Sequence, residues 1–100
     1  KLMDMYARID AARCLTYDLA WRLREHVGDH AVLVARTCMA KVLSTQAMQY
    51  CADQAVQILG GMGFMRGTRS ERIYREVKVM MIGGGSEEIM KDLSARQLGI

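Results

Sequence analysis

Two glycine-rich stretches are the places where this sequence could do chemistry: Gln57-Ile58-Leu59-Gly60-Gly61-Met62-Gly63-Phe64 and Gly83-Gly84-Gly85-Ser86-Glu87-Glu88. Seven of the nine glycines lie in or beside them, the others being Gly28 and Gly99. Glycine is used where backbone must take positive φ or let another group come close. A helix start follows each stretch, and its free N–H groups suit a phosphate. Gly60-Gly61-x-Gly63 follows a helical pattern instead of a strand, so it is neither a P-loop nor a Rossmann turn. Read as structure alone, it is a helix C-cap and turn.

Other reactive residue types offer less. His26 and His30 are four apart, but Gly28 and Asp29 interrupt the helix between them, and no Cys or Glu sits nearby at ligand spacing, so no metal site is expected. Cys14, Cys38 and Cys51 match no C-x-x-C spacing and read as buried free thiols. Arg66, Arg69, Arg72, Arg75 and Lys78 recur at every third residue, a spacing that drifts around a helix, with Glu71 and Glu76 interleaved. That run reads as a solvated, ion-paired face. Glu87 and Glu88 point about 100° apart on a helix and are better placed as first-turn carboxylates than as an acid/base pair.

The elements that must position these groups are all helical. Leu2, Met5, Ile9, Ala12, Thr16, Leu19 and Leu23 follow a 3,4,3,4 spacing, which predicts a helix from residue 1 to about 26. Gly28 is the expected C′ residue and Asp29 the expected N-cap of a second helix from about Ala31 to Leu59. A connection this short makes an antiparallel helical hairpin. Only Arg36, Lys41 and Asp53 are charged between Ala31 and Leu59. A helix with so little polar surface is packed most of the way round, more than 100 residues can cover internally. Thr68-Arg69-Ser70-Glu71 is a capping box for a third helix to about Met81, with Ile73, Tyr74, Val77, Met80 and Met81 inward. Ser86 caps a fourth, with Ile89, Met90, Leu93 and Leu98 inward. The fold class is all-α, an antiparallel helical bundle.

Composition agrees with one folded domain over residues 1–100: 51% of residues are hydrophobic and 25% charged. No apolar run is long enough to span a bilayer. A net charge of +3 is too small to imply a nucleic-acid partner. The chain reads as soluble and intracellular. Lys1-Leu2-Met3 is already in helical register without an N-cap, so a piece of a longer protein is expected.

Three segments, in order and spacing, resemble the C-terminal helical domain of the FAD-dependent acyl-CoA dehydrogenases: Asp53 to Phe64, Glu71-Arg72-Ile73-Tyr74-Arg75-Glu76, and Gly84-Gly85-Ser86-Glu87-Glu88-Ile89 with Ala95-Arg96 behind it. The resemblance covers essentially the whole chain. It implies a four-helix bundle whose first helix is absent here, within a subunit that also has an N-terminal helical domain and a β-domain. It implies that Gln57, Gly60 and Gly61 contact the ADP half of an FAD held mainly by a neighbouring subunit. Ser86 and Glu88 would stand where the family makes polar contacts to FAD, and Arg75 would be a structural ion-pair arginine.

The partners implied are a homodimer or homotetramer, an acyl-CoA substrate and an electron acceptor, in the cytoplasm, or in the mitochondrial matrix of a eukaryote. Most members carry the catalytic glutamate two residues before the Thr or Ser that starts the last helix. That position is Gly84, and Gly83 replaces the aromatic residue common before it. The long-chain and isovaleryl types share such a pattern and carry the base on the bundle's first helix, so no catalytic residue is expected within residues 1–100. Other readings are a related flavin-dependent oxidase, a non-catalytic helical oligomerisation module, and a nucleic-acid module using Arg66 to Lys78, whose binding would collapse with salt.

Overall fold

A computed structural model describes residues 1–100. It contains five helices and no strand: α1 (Leu2–Glu25), α2 (His30–Leu59), α3 (Gly61–Phe64), α4 (Arg69–Ile82) and α5 (Glu87–Leu98). The molecule measures 48 × 24 × 21 Å. At 1.5 Å per residue α2 is about 45 Å long, so this one helix is the axis of the fold. It packs against α1, α4 and α5, and α3 folds back on its last turn.

Local chemistry sets the helix ends. Asp29 accepts a hydrogen bond from the Val32 N–H at 3.2 Å, Thr68 from Glu71 at 3.4 Å and Ser86 from Ile89 at 3.4 Å, so all three expected N-caps are in place. The end of α1 differs from expectation. His26, not Gly28, takes the left-handed conformation that closes the helix (φ 55°, ψ 41°), and the Val27 N–H returns to the Arg22 carbonyl at 2.9 Å. Histidine is among the residues that tolerate this region. The helical turn α3, inside the first glycine stretch, was also not anticipated.

The core is thin and made of small side chains. Leu19 of α1 clusters with Leu33 and Ala40 of α2 beside Leu15, and Ala12 of α1 and Ala35, Cys38, Val42, Ala47 and Ala52 of α2 are also buried. Asp18 ties α1 to α2 by accepting from Arg22 and Arg36, both at 2.8 Å. Arg22 chiefly, helped by Arg36, holds the Asp18 carboxyl below its ordinary range.

Several residues expected inside are outside. On α4 only Val77 and Met81 are buried, while Ile73, Tyr74 and Met80 are exposed. On α5 the buried residue is Ser94, whose hydroxyl donates to the Ala35 carbonyl at 3.2 Å; Ile89 and Leu98 are exposed. Leu2, Ile9 and Leu23 on α1 are exposed too, and so is Cys14, against the expectation of three buried thiols. Cys38 is buried, and partial burial raises the pKa of the Cys51 thiol. Periodicity puts residues on one stripe but does not supply an element to cover it. Here each outer helix has little but α2 to lean on.

Candidate functional site

The first glycine stretch is built by a reversal of the backbone onto α2. That helix stops at Gly60 (φ 61°, ψ −141°), and α3 turns back so that Gly63 lies against the last turn. A Cβ on Gly63 would stand 2.8 Å from the Leu59 Cβ and 3.0 Å from the Val56 carbonyl oxygen. Only glycine fits there. The Gly63 carbonyl then accepts from the Ser70 hydroxyl at 3.0 Å and the Thr68 hydroxyl at 3.3 Å, which sets the entry of α4.

Between α2, α3 and α4 lies a cleft of about 730 Å³ lined by Asp53, Gln57, Phe64, Arg66, Tyr74 and Arg75, among others. A recess of about 340 Å³ continues it toward Arg8 and Tyr50, where the Arg8 guanidinium sits 4.1 Å from the ring centroid. Gln57 is thus exposed in a concave, mixed aromatic and polar surface. Gly60 and Gly61 are exposed at its edge but do not line it, and a Cβ on either would meet nothing within 4 Å.

The arginine run is partly an ion-paired face, as expected. Arg75 pairs with Glu71 and holds that carboxyl well below its ordinary range, chiefly by hydrogen bonding. Arg72 lies 3.8 Å from Glu76. Arg66 and Arg69 form no ion pair, and with Thr68 and Arg72 they border a polar recess of about 540 Å³.

The second glycine stretch closes α4 and opens α5. Gly84 and Gly85 have φ of 70° and 110°. A Cβ on Gly85 would overlap the Met90 Cε at 2.2 Å, so the turn is fitted over that side chain. Ser86 caps α5, and its hydroxyl is engaged with the Ile89 N–H. Glu87 accepts from Lys91 at 2.5 Å and from Gln46 at 2.7 Å, and Lys91 chiefly holds its carboxyl below the ordinary range. Glu88 is exposed and unpaired.

The five candidate residues therefore fall into two groups. Gln46, which touches the start of α5, precedes Gln57 on α2 by roughly 16 Å of helix rise. Gln57, Gly60 and Gly61 stand at one place; Ser86 and Glu88 stand at another. Two residues missed by sequence reasoning hold the second place together. Gln46 is one, and Lys41 is the other, with its ammonium on the carbonyls of Met81 at 3.1 Å and Gly85 at 2.5 Å. The available signal was Lys41 itself, a charge on an apolar helix that must find acceptors. No three His, Cys, Asp or Glu side chains gather as a metal site, and no helix is long and apolar enough to cross a membrane.

The family described as acyl-CoA dehydrogenase, C-terminal domain, matches residues 1–99. The chain belongs to that family. It is 37% identical over 98 residues to the Bacillus subtilis protein named "Probable acyl-CoA dehydrogenase YngJ", covering 98% of this chain and 25% of that protein. The human short-chain specific acyl-CoA dehydrogenase, a mitochondrial protein, is 34% identical over 98 residues, covering 98% of this chain and 23% of its own length. A crystal structure of a Mycobacterium smegmatis protein assigned to the acyl-CoA dehydrogenases superposes with a TM-score of 0.90 at 40% identity, over 98% of this chain and 25% of that one. This acyl-CoA dehydrogenase C-terminal domain thus spans about a quarter of the length of the relatives it matches.

Proposed function

We propose that this domain is the C-terminal bundle of an FAD-dependent acyl-CoA dehydrogenase, and that it supplies cofactor contacts and oligomer interface but not the catalytic base. The observation that carries the cofactor reading is the cleft beside Gln57. An amide and two aromatic rings on one concave surface, with Arg66 free of an ion pair and Arg75 held by Glu71 beside Asp53, suit the adenosine half of a dinucleotide with one guanidinium for its phosphates. Gln57 would bind a polar edge of that half. Gly60 and Gly61, with open space where side chains would be, would let backbone approach it.

Ser86 and Glu88, at the other place, would contact FAD through the start of α5, where N–H groups and the helix dipole favour electron-rich atoms. The separation of the two groups supports a cofactor shared between subunits. Bound FAD would supply the acceptor for a hydride leaving the substrate's β-carbon, with a carboxylate from outside residues 1–100 taking the α-proton. In this chain Gly84 offers no side chain for that proton, Glu87 is committed to Gln46 and Lys91, and Glu88 lies in a first turn that favours its ionised form. The domain's part is to bind and orient.

Met5 and the exposed Met48 and Ile73 border an apolar groove of about 330 Å³ floored by Cys51, Ala52 and Ala55, which supports burial of this side in a homodimer or homotetramer. An acyl-CoA, an electron acceptor and a cytoplasmic or mitochondrial-matrix setting belong to the same reading. The test is Gly61→Val in the full-length protein. We expect bound flavin to be lost with helical content kept; a full flavin complement would reduce the glycine stretch to a turn.

A further inference from the structure

Lys41 is half-buried in the middle of α2, and no carboxylate lies within ion-pair distance of it. Its ammonium donates to two backbone carbonyls far away in sequence: Met81 at 3.1 Å and Gly85 at 2.5 Å. The Met81 carbonyl belongs to the last turn of α4, where C=O groups have no partner within the helix and the dipole is negative. The Gly85 carbonyl immediately precedes the Ser86 cap. One side chain therefore grips both ends of the Gly83–Gly85 turn.

The turn needs such a grip. Its residues have no side chains, and two of them adopt φ of 70° and 110°, so the segment cannot anchor itself by packing. A second grip comes from Gln46, one helical turn and a residue further along α2, which donates to Glu87 at 2.7 Å. Met90 under Gly85 closes the third side.

We propose that Lys41 is a positioning residue: by bridging the Met81 and Gly85 carbonyls it fixes where Ser86 and Glu88 stand against α2, and so fixes the contacts this turn makes to the flavin. The inference rests on the FAD reading above. Lysine suits the task because a compact ammonium on a flexible stem can satisfy two acceptors that face it from different segments.

The experiment compares four forms of the full-length flavoprotein: wild type, Lys41→Met, Lys41→Gln and a control, Leu33→Ala, which thins the core between α1 and α2. For each, the FAD dissociation constant is measured by flavin fluorescence, with the visible absorption band of the bound flavin and the thermal midpoint. Lys41→Met leaves two carbonyls without their cationic donor, so FAD should bind about tenfold or more weakly and its band should shift. Lys41→Gln keeps one donor group and should show a smaller change in the same direction. Leu33→Ala should lower the thermal midpoint while leaving affinity and band unchanged.

If Lys41→Met does not accumulate in folded form, Lys41→Gln decides alone. Unchanged flavin affinity and band in a Lys41 variant that is merely less stable, like Leu33→Ala, would overturn the positioning role and leave the FAD reading intact. A wild type that binds no FAD would overturn both.

Discussion

Gln46 donates its side-chain amide to Glu87 Oε1 at 2.7 Å, joining the middle of α2 to the first turn of α5. Lys91 donates to the same oxygen. Together with the dipole of α5 these donors favour an ionised, immobilised carboxylate, the opposite of a base that must take up a proton. Glu88 is free of partners but is displaced by four residues from Gly84, and a proton-transfer base must come within about 3 Å of its target. Glu87→Gln and Glu88→Gln in the full-length protein should each leave flavin reduction by acyl-CoA within about tenfold of wild type. Anaerobic stopped-flow bleaching is the readout; a thousandfold loss with FAD still bound would put the base in this chain.

The glycines of the first stretch should separate by role. Gly63→Ala forces a Cβ to 2.8 Å from that of Leu59, an overpacking that should cost about 1–3 kcal/mol in urea unfolding. Gly61→Ala meets nothing within 4 Å and should stay within about 0.5 kcal/mol of wild type. Equal losses at the two positions would contradict the close-packed reversal onto α2.

Acid should weaken the fold through a defined set of pairs. Asp18, Glu71 and Glu87 all have carboxyl pKa values lowered in the folded state, chiefly by hydrogen bonds from Arg22, Arg75 and Lys91. A lowered folded pKa gives stability that is fully present above the unfolded value, near 4, and is lost as pH falls through the folded values. Thermal midpoints measured downward from about pH 5 should therefore fall. All three carboxylates are partly exposed and their cationic partners reach solvent, so the drop should be modest and should shrink in high salt. Asp18→Asn should flatten part of it. A midpoint that rose on acidification would reverse the assignment.

The chain on its own should self-associate. Met5, Met48 and Ile73 border an apolar groove, and large side chains elsewhere, Val79 and Ile82 among them, are more than half exposed. Sedimentation velocity at micromolar concentration should show species larger than 11.3 kDa. A monomer with a cooperative thermal transition would contradict the interface reading.

What the sequence made legible was local. Asp29, Thr68 and Ser86 cap their helices because an N-cap depends only on residues within one turn. The long apolar α2 was legible from its missing charges. Long-range pairing was not: Lys41 and Gln46 meet partners 44 and 41 residues away, and no periodicity encodes that. Tyr74 and Met80 were misplaced because their stripe is real but uncovered. His26 displaced Gly28 at the end of α1 because the short loop closes two residues earlier than glycine alone suggests. At the candidate site, the expectation for Gln57 came from the family resemblance, whereas the cleft around it needed α3 and α4 in three dimensions.

The most direct measurement is anaerobic titration of the purified full-length protein with acyl-CoA thioesters of several chain lengths, followed at the visible flavin band. The account predicts that the protein is isolated with FAD and that at least one thioester bleaches the band. It also predicts that Gly61→Val is isolated without flavin. A wild-type protein isolated free of flavin, or one whose bound flavin no acyl-CoA reduces, would contradict the account.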